Sequence, residues 1–210
     1  MNQPRVLLLH GLWMHAPALR WLAAQLRGHG FRAQVHGYYS VLEDTPRAVA
    51  HIVAALQESP GTHVVAHSLG GLLALRAMDQ VADPGRVVCL GSPLAGSGAA
   101  RAVESRIPGG ARILGPHRPL LREGVARVPD GLQVGMVAGC RRLGLGGIVA
   151  GFDCEHDGTV AVAETRVPGL ADHVVVPASH SGLVWHQEAA AQAASFLNAG
   201  RFQHRAPAAA

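Results

Sequence analysis

Aromatic rings and charges are scarce in this 210-residue chain: Phe, Trp and Tyr make up 4% of it, and Asp, Glu, Lys and Arg 15%. Four Phe and two Tyr leave few rings for base stacking. The eighteen basic residues are spread mostly as single arginines (Arg20, Arg27, Arg76, Arg101, Arg112), so no basic arm for nucleic acid is expected. The formal charge of +4 and the pI near 9.6 read as a solvated arginine-rich surface. Three cysteines, an odd number, do not make a disulfide framework and suit a reducing compartment. Cys89 sits in an apolar run and should be buried, whereas Cys140 and Cys154 could meet only across a loop. No apolar stretch approaches the ~20 residues needed to cross a bilayer, and the run at 6–9 is too short for a secretion signal. A cytoplasmic protein without stable membrane insertion is therefore expected. There is no Cys-x-x-Cys pair, no Gly-x-Gly-x-x-Gly after the first apolar run and no phosphate-loop lysine pattern. Glu155-His156-Asp157 is too compressed to cage a metal unaided. Neither a metal nor a nucleotide cofactor is expected.

What the chain does have is apolar content, 49%, punctuated by 26 Gly and 13 Pro that fall between apolar runs. That is enough for one packed domain spanning 1–210. Short segments at 6–9, 31–38, 63–66, 86–90, 134–138 and 173–176, most of them apolar runs, read as strands. Between them lie helical patterns. Pro17 opens one carrying Leu19, Leu22 and Leu26. A second starts with Thr45 as N-cap and Pro46 behind it, and carries Val49, Ile52, Val53 and Leu56. Residues 69–81 and 183–198 supply two more. Strands separated by helices imply a mostly parallel sheet of about six strands with helices on both faces, the α/β class. Residues 92–132 break the rhythm. They offer one helix candidate, at 99–105, within a Gly- and Pro-rich excursion bearing Arg112, Arg118 and Arg122. That composition predicts a short irregular cap at the rim and not an amphipathic lid.

Ala66-His67-Ser68-Leu69-Gly70-Gly71 joins a strand to a helix. A sharp strand-to-helix turn strains its central residue and thrusts that side chain out at the sheet edge. The residues two before and two after must be small, and Ala66 and Gly70 are. Ser68 would also sit at a helix N-terminus, where free N–H groups favour developing negative charge. The plainer reading is a serine N-cap. His10-Gly11-Leu12-Trp13 follows the first strand, so in a parallel sheet it reaches the same rim. Backbone N–H groups of Leu12 and Leu69 could then share an oxyanion; the plainer reading is a simple turn in which His10 packs. Asp157-Gly158 closes the loop after the fifth strand, and His180 follows the last strand. Position selects His180 from thirteen histidines: His186 should begin a helix facing solvent, and His173 begins a strand at the wrong end. Asp153 is the rival acid, but the Asp157-Gly158 turn lets the Asp157 carboxylate point back toward the base.

Taken with Gly91-Ser92-Pro93-Leu94-Ala95-Gly96-Ser97 and His180-Ser181-Gly182-Leu183, these segments resemble the α/β-hydrolase superfamily, and within it the compact bacterial serine esterases and lipases. The resemblance runs through most of the chain. It implies Ser68 as nucleophile, His180 as base, Asp157 as the acid orienting it, and Leu12 and Leu69 as oxyanion donors. The implied activity is cleavage of small-molecule hydrophobic carboxylic esters through an acyl-enzyme. A thioesterase or phospholipase would use the same residues. A non-catalytic binding protein of the same fold would be expected to lose one of the three, yet all are present. Oligomeric state stays open.

Overall fold

The computed structural model describes residues 3–143, 151 and 154–204. Its centre is a sheet of six strands: β1 (Arg5–Leu9), β2 (Arg32–His36), β3 (His63–His67), β4 (Val87–Leu90), β5 (Val134–Gly139) and β6 (Asp172–Val176). Their order is β2-β1-β3-β4-β5-β6, and every neighbouring pair is parallel. The four inner strands, β1, β3, β4 and β5, are apolar runs because both faces are covered, whereas the edge strand β2 exposes Arg32 and Gln34. Val6, Leu8, Val65, Val88 and Val137 point to one side, where α1 (Arg20–Gly28) and α7 (Gln187–Ala199) pack. Leu7, Leu9, Val64, Val87 and Met136 point to the other, against α2 (Thr45–Gln57) and α3 (Leu69–Met78). This is the period-2 alternation of a strand, apolar on both sides. Each fully buried Leu or Val among them adds about 1.5–3 kcal/mol of apolar transfer.

In β1, Leu9 stands in register with Ala66 of β3. The two strands then part company: β1 feeds α1 on one face of the sheet and β3 feeds α3 on the other. Such a switch opens a crevice at the carboxyl edge, bounded by the turns after the two strands. The turn after β1 carries Leu12, and the turn after β3 is Ser68 itself.

Two details depart from the sequence expectation. Asp44, not Thr45, caps α2, its carboxylate accepting the Arg47 N–H at 2.9 Å. Thr45 is engaged elsewhere, its hydroxyl 2.8 Å from Nδ1 of His117. The second departure is in 92–132, which is more helical than its composition suggests. The expected helix is α4 (Gly98–Arg106), and two short ones follow, α5 (Gly110–Leu114) and α6 (Arg118–Glu123). Leu114, Leu120 and Leu121 bury into the core on the α2/α3 side. Glu104 gathers Arg118 (3.1 Å) and Arg122 (3.3 Å). The cap's ends are tied down by Ser97 N–H to the Leu121 carbonyl (2.8 Å) and Val125 N–H to the Leu94 carbonyl (2.7 Å). No helix among the described residues is long and apolar enough to cross a membrane. Cys89 is buried, Cys140 half-buried and Cys154 exposed, all three as free thiols.

Candidate active site

Ser68 sits between β3 and α3 with φ 55° and ψ −123°. A non-glycine residue in that region costs on the order of 1–3 kcal/mol, and persists only where the surroundings impose it. Here they do. The Ser68 N–H is held by the Leu90 carbonyl at 3.0 Å, and α3 begins at the next residue. The turn also runs hard against the end of β1: a Cβ on Gly70 would stand 2.6 Å from the His10 carbonyl oxygen and 2.9 Å from that of Leu9. Any larger residue would push the elbow off the neighbouring strand. Ser68 itself remains partly exposed.

Two distant loops bring their side chains to this serine. His180 places Nε2 3.0 Å from Ser68 Oγ and Nδ1 2.7 Å from Asp157 Oδ2. The carboxylate is almost completely buried, at 1% exposure, and His180 is buried at 8%. Asp157 Oδ1 accepts the N–H groups of Thr159 (2.9 Å) and Val160 (2.7 Å), so both oxygens are engaged and the charge has donors on each side. Gly91, at φ 57°, floors the pair: a Cβ there would lie 2.7 Å from Leu183 Cδ1, 3.1 Å from Asp157 Oδ2 and 3.3 Å from His180 Nδ1. The Gly91 segment entered the sequence reading only as part of a motif; nothing local in it signals this role. Asp153, the rival acid, lies outside the described residues.

Leu12 belongs to a turn closed by Met14 N–H to the Gly11 carbonyl at 3.3 Å. Gly11 approaches the serine closely, since a Cβ on it would be 2.9 Å from Ser68 Cβ. Among the described residues the Leu12 N–H has no backbone acceptor, and the Leu69 N–H belongs to the unpaired first turn of α3. Trp13, the third residue of that turn, has φ 58°; its indole N–H bonds the Ile113 carbonyl of the cap at 2.9 Å. Behind the turn, His10 stacks on Tyr38 with ring centroids 4.3 Å apart, and the Tyr38 hydroxyl donates to the His10 carbonyl. Burial lowers the His10 pKa, against the opposing pull of the Gly11 and Tyr38 carbonyls beside its ring nitrogens. Burial likewise lifts the Tyr38 phenol far above its usual value, so it stays a donor.

The other histidines considered fall elsewhere. His186 precedes α7 without a side-chain cap bond and is half-buried, not turned out to solvent, and His173, near the start of β6, faces Thr165 at 2.8 Å. Among the described residues no group of three or more His, Cys, Asp or Glu is arranged to hold a metal ion. A large hollow between Trp185, Gln192 and His204 runs along α7 and includes none of Ser68, Asp157 and His180. A smaller one, lined by His10, Pro17, Tyr38 and Tyr39, opens beside the Leu12 turn.

A mature-form lipase of Bacillus licheniformis superposes with a TM-score of 0.74 at 22% identity, covering 87% of this chain and 86% of that one. A monoacylglycerol lipase of Paleococcus ferrophilus has a TM-score of 0.62 at 16% identity, covering 95% and 97%. A pyrethroid hydrolase reaches 0.65 at 12% identity, covering 94% and 99%. At these identities the likeness is one of fold. Among curated protein sequences there is no significant match. Residues 6–199 match the alpha/beta hydrolase family, and over that span, nearly the whole chain, the protein belongs to it.

Proposed function

We propose that this chain is a serine hydrolase that cleaves hydrophobic carboxylic esters through an acyl-enzyme. The observation that carries the reading is the continuous hydrogen-bonded line from Ser68 Oγ through His180 to Asp157, at 3.0 and 2.7 Å, on a serine that solvent can reach. Neutral His180 takes the proton of Ser68 at Nε2 as Oγ attacks the ester carbonyl. Asp157 holds the Nδ1 proton of the resulting imidazolium, orienting the ring and stabilising its charge. The N–H groups of Leu12 and Leu69 receive the oxyanion, helped by the N-terminus of α3. The imidazolium then protonates the leaving alcohol. Water enters by the same base and releases the acid. The preference for apolar esters is supported by the side chains gathered on the turns after β1 and β2, where Trp13, Tyr39 and Leu42 are 60%, 74% and 84% exposed. Large apolar groups left open on turns at the carboxyl edge of the sheet, the edge at which Ser68 also stands, fit an apolar ligand.

The test is covalent labelling with a fluorophosphonate, together with turnover of p-nitrophenyl esters of graded acyl length, a thioester and a phospholipid. Wild-type protein should be labelled and should hydrolyse esters of short to medium chain. Ser68→Ala should lose labelling and about 10⁶ in kcat with little change in Tm. Ser68→Ala turnover within tenfold of wild type would overturn the assignment.

A further inference from the structure

His67, the residue before the proposed nucleophile, has no part in the steps above, yet it is among the most enclosed polar side chains near the site, at 3% exposure. Its Nε2 lies 2.9 Å from the carbonyl oxygen of His180. A carbonyl only accepts, so the proton sits on Nε2 and the lone pair on Nδ1. That Nδ1 has no partner, and it faces Gly11, where a Cβ would stand 3.1 Å from it. The rings of His67 and His180 lie 4.8 Å apart between centroids, inclined at 48°.

We propose that His67 is a positioning residue for the base: its Nε2–H bond to the His180 carbonyl sets where the His180 imidazole stands between Ser68 and Asp157. This rests on the roles proposed above for Ser68 and His180. The segment carrying His180 lies beyond the end of β6, and pairing with the neighbouring chain stops at the Arg141 N–H to Ala178 carbonyl bond, two residues before His180. His180 itself is gripped at two backbone points. The His180 N–H is held by the Asp157 carbonyl at 2.8 Å, and its C=O by His67 at 2.9 Å. With the peptide units on both sides of Cα fixed, the direction of the Cα–Cβ bond is fixed as well. The ring is left to turn only about its own side-chain torsions, which the Asp157 carboxylate settles.

A neutral donor suits this place. Three titratable groups bear on His67: His180 and His10, which disfavour its protonation, and Asp157, which favours it. Burial dominates and lowers its pKa to about 3, so the ring is uncharged wherever the base operates. When His180 becomes imidazolium, no second cation faces it at 4.8 Å. An Arg or Lys could grip the same carbonyl but would oppose that charge. A phenyl ring would fill the space and leave the carbonyl unpaired.

The experiment compares His67→Gln, whose amide N–H can reach where Nε2 stood, with His67→Phe and His67→Asn, which cannot donate there. Steady-state kinetics on a soluble ester from pH 4.5 to 9, fluorophosphonate labelling rates and Tm are measured for each. Phe and Asn should lower kcat about ten- to hundredfold with KM within about twofold, because a small displacement of a catalytic group has that effect. Their acidic limb of kcat/KM should move to lower pH, since a ring out of line with Asp157 is a weaker base. Gln should restore most of kcat. Full activity with an unshifted limb in Phe or Asn overturns the proposal, and so does a loss shared equally by Gln and accompanied by a fall in Tm. Wild-type protein that is neither labelled nor active would instead fell the assignment of Ser68, a result recognisable because Ser68→Ala would then match it.

Discussion

Asp157 and His180 are joined twice: the Asp157 carbonyl accepts the His180 N–H at 2.8 Å, and its carboxylate Oδ2 faces His180 Nδ1 at 2.7 Å. The backbone bond brings the two loops together, and the side-chain bond then selects the tautomer with its proton on Nδ1 and its lone pair toward Ser68. Asp157→Asn leaves the backbone bond in place and removes that preference, because an amide N–H directed at the ring turns Nδ1 into the acceptor. The expected result is a loss of roughly 10⁴ in kcat with Tm changed by only a few degrees. Steady-state kinetics beside a thermal melt decide it. A loss smaller than about tenfold would show that another carboxylate orients the base.

Acid should destabilise this protein well above the range in which carboxylates titrate. His67, held near pKa 3 by burial, takes up its proton around 6.5 once unfolded. Between those values the unfolded chain binds a proton that the folded chain refuses, so stability falls as pH is lowered through that window and is unaffected above it. A fully buried group contributes a slope of about 1.4 kcal/mol per pH unit there. His173, lowered to about 4, acts in the same direction, as do His10, His63 and His117, each lowered chiefly by burial. Thermal unfolding followed from pH 7.5 to 4.5 should show a steady decline in Tm, shallower in His67→Gln. A Tm that holds constant across that range would contradict the buried neutral state of these rings.

The cap should not work as a lid. Its helices are short, its leucines are already buried in the core, and Glu104 ties Arg118 and Arg122 together. Trp13, next to Leu12, is hydrogen-bonded to Ile113, so opening the cap would also disturb the turn proposed to hold the oxyanion. A rate-versus-concentration curve for a sparingly soluble ester should therefore stay hyperbolic through the solubility limit. A jump in rate at saturation would mean that the cap moves.

Much of this was legible before any coordinates, because much of it is local. Continuous apolar runs become strands buried on both faces, and five of the six observed strands both begin and end within one residue of the expected segments; β2 starts within one residue but ends two residues early. The elbow was legible for the same reason: a small residue two places either side of a serine is a steric requirement, and Gly70 against the β1 carbonyls shows what it is for. Position pointed to His180, and position with the Asp157-Gly158 turn to Asp157, each on a loop that leaves the carboxyl edge of the sheet.

What local pattern could not contain was decided by contacts between distant parts of the chain. Thr45 and Asp44 are both good N-caps by type; Asp44 takes the role because the Thr45 hydroxyl lies against His117, 72 residues away. Helices of five and six residues such as α5 and α6 have little stability of their own, and they form where Leu114, Leu120 and Leu121 find a core to enter. Nothing in the residue type of His67 distinguishes it from twelve other histidines. Its grip on the His180 carbonyl spans 113 residues and exists only once β3 and β6 end at the same edge of one sheet. The sequence by itself determined which segments are strands and helices and which chemical groups stand at their ends, since those follow from side-chain period and backbone sterics. The tertiary structure alone decided which of those ends meet, because strand order and register set distances that no sequence spacing encodes.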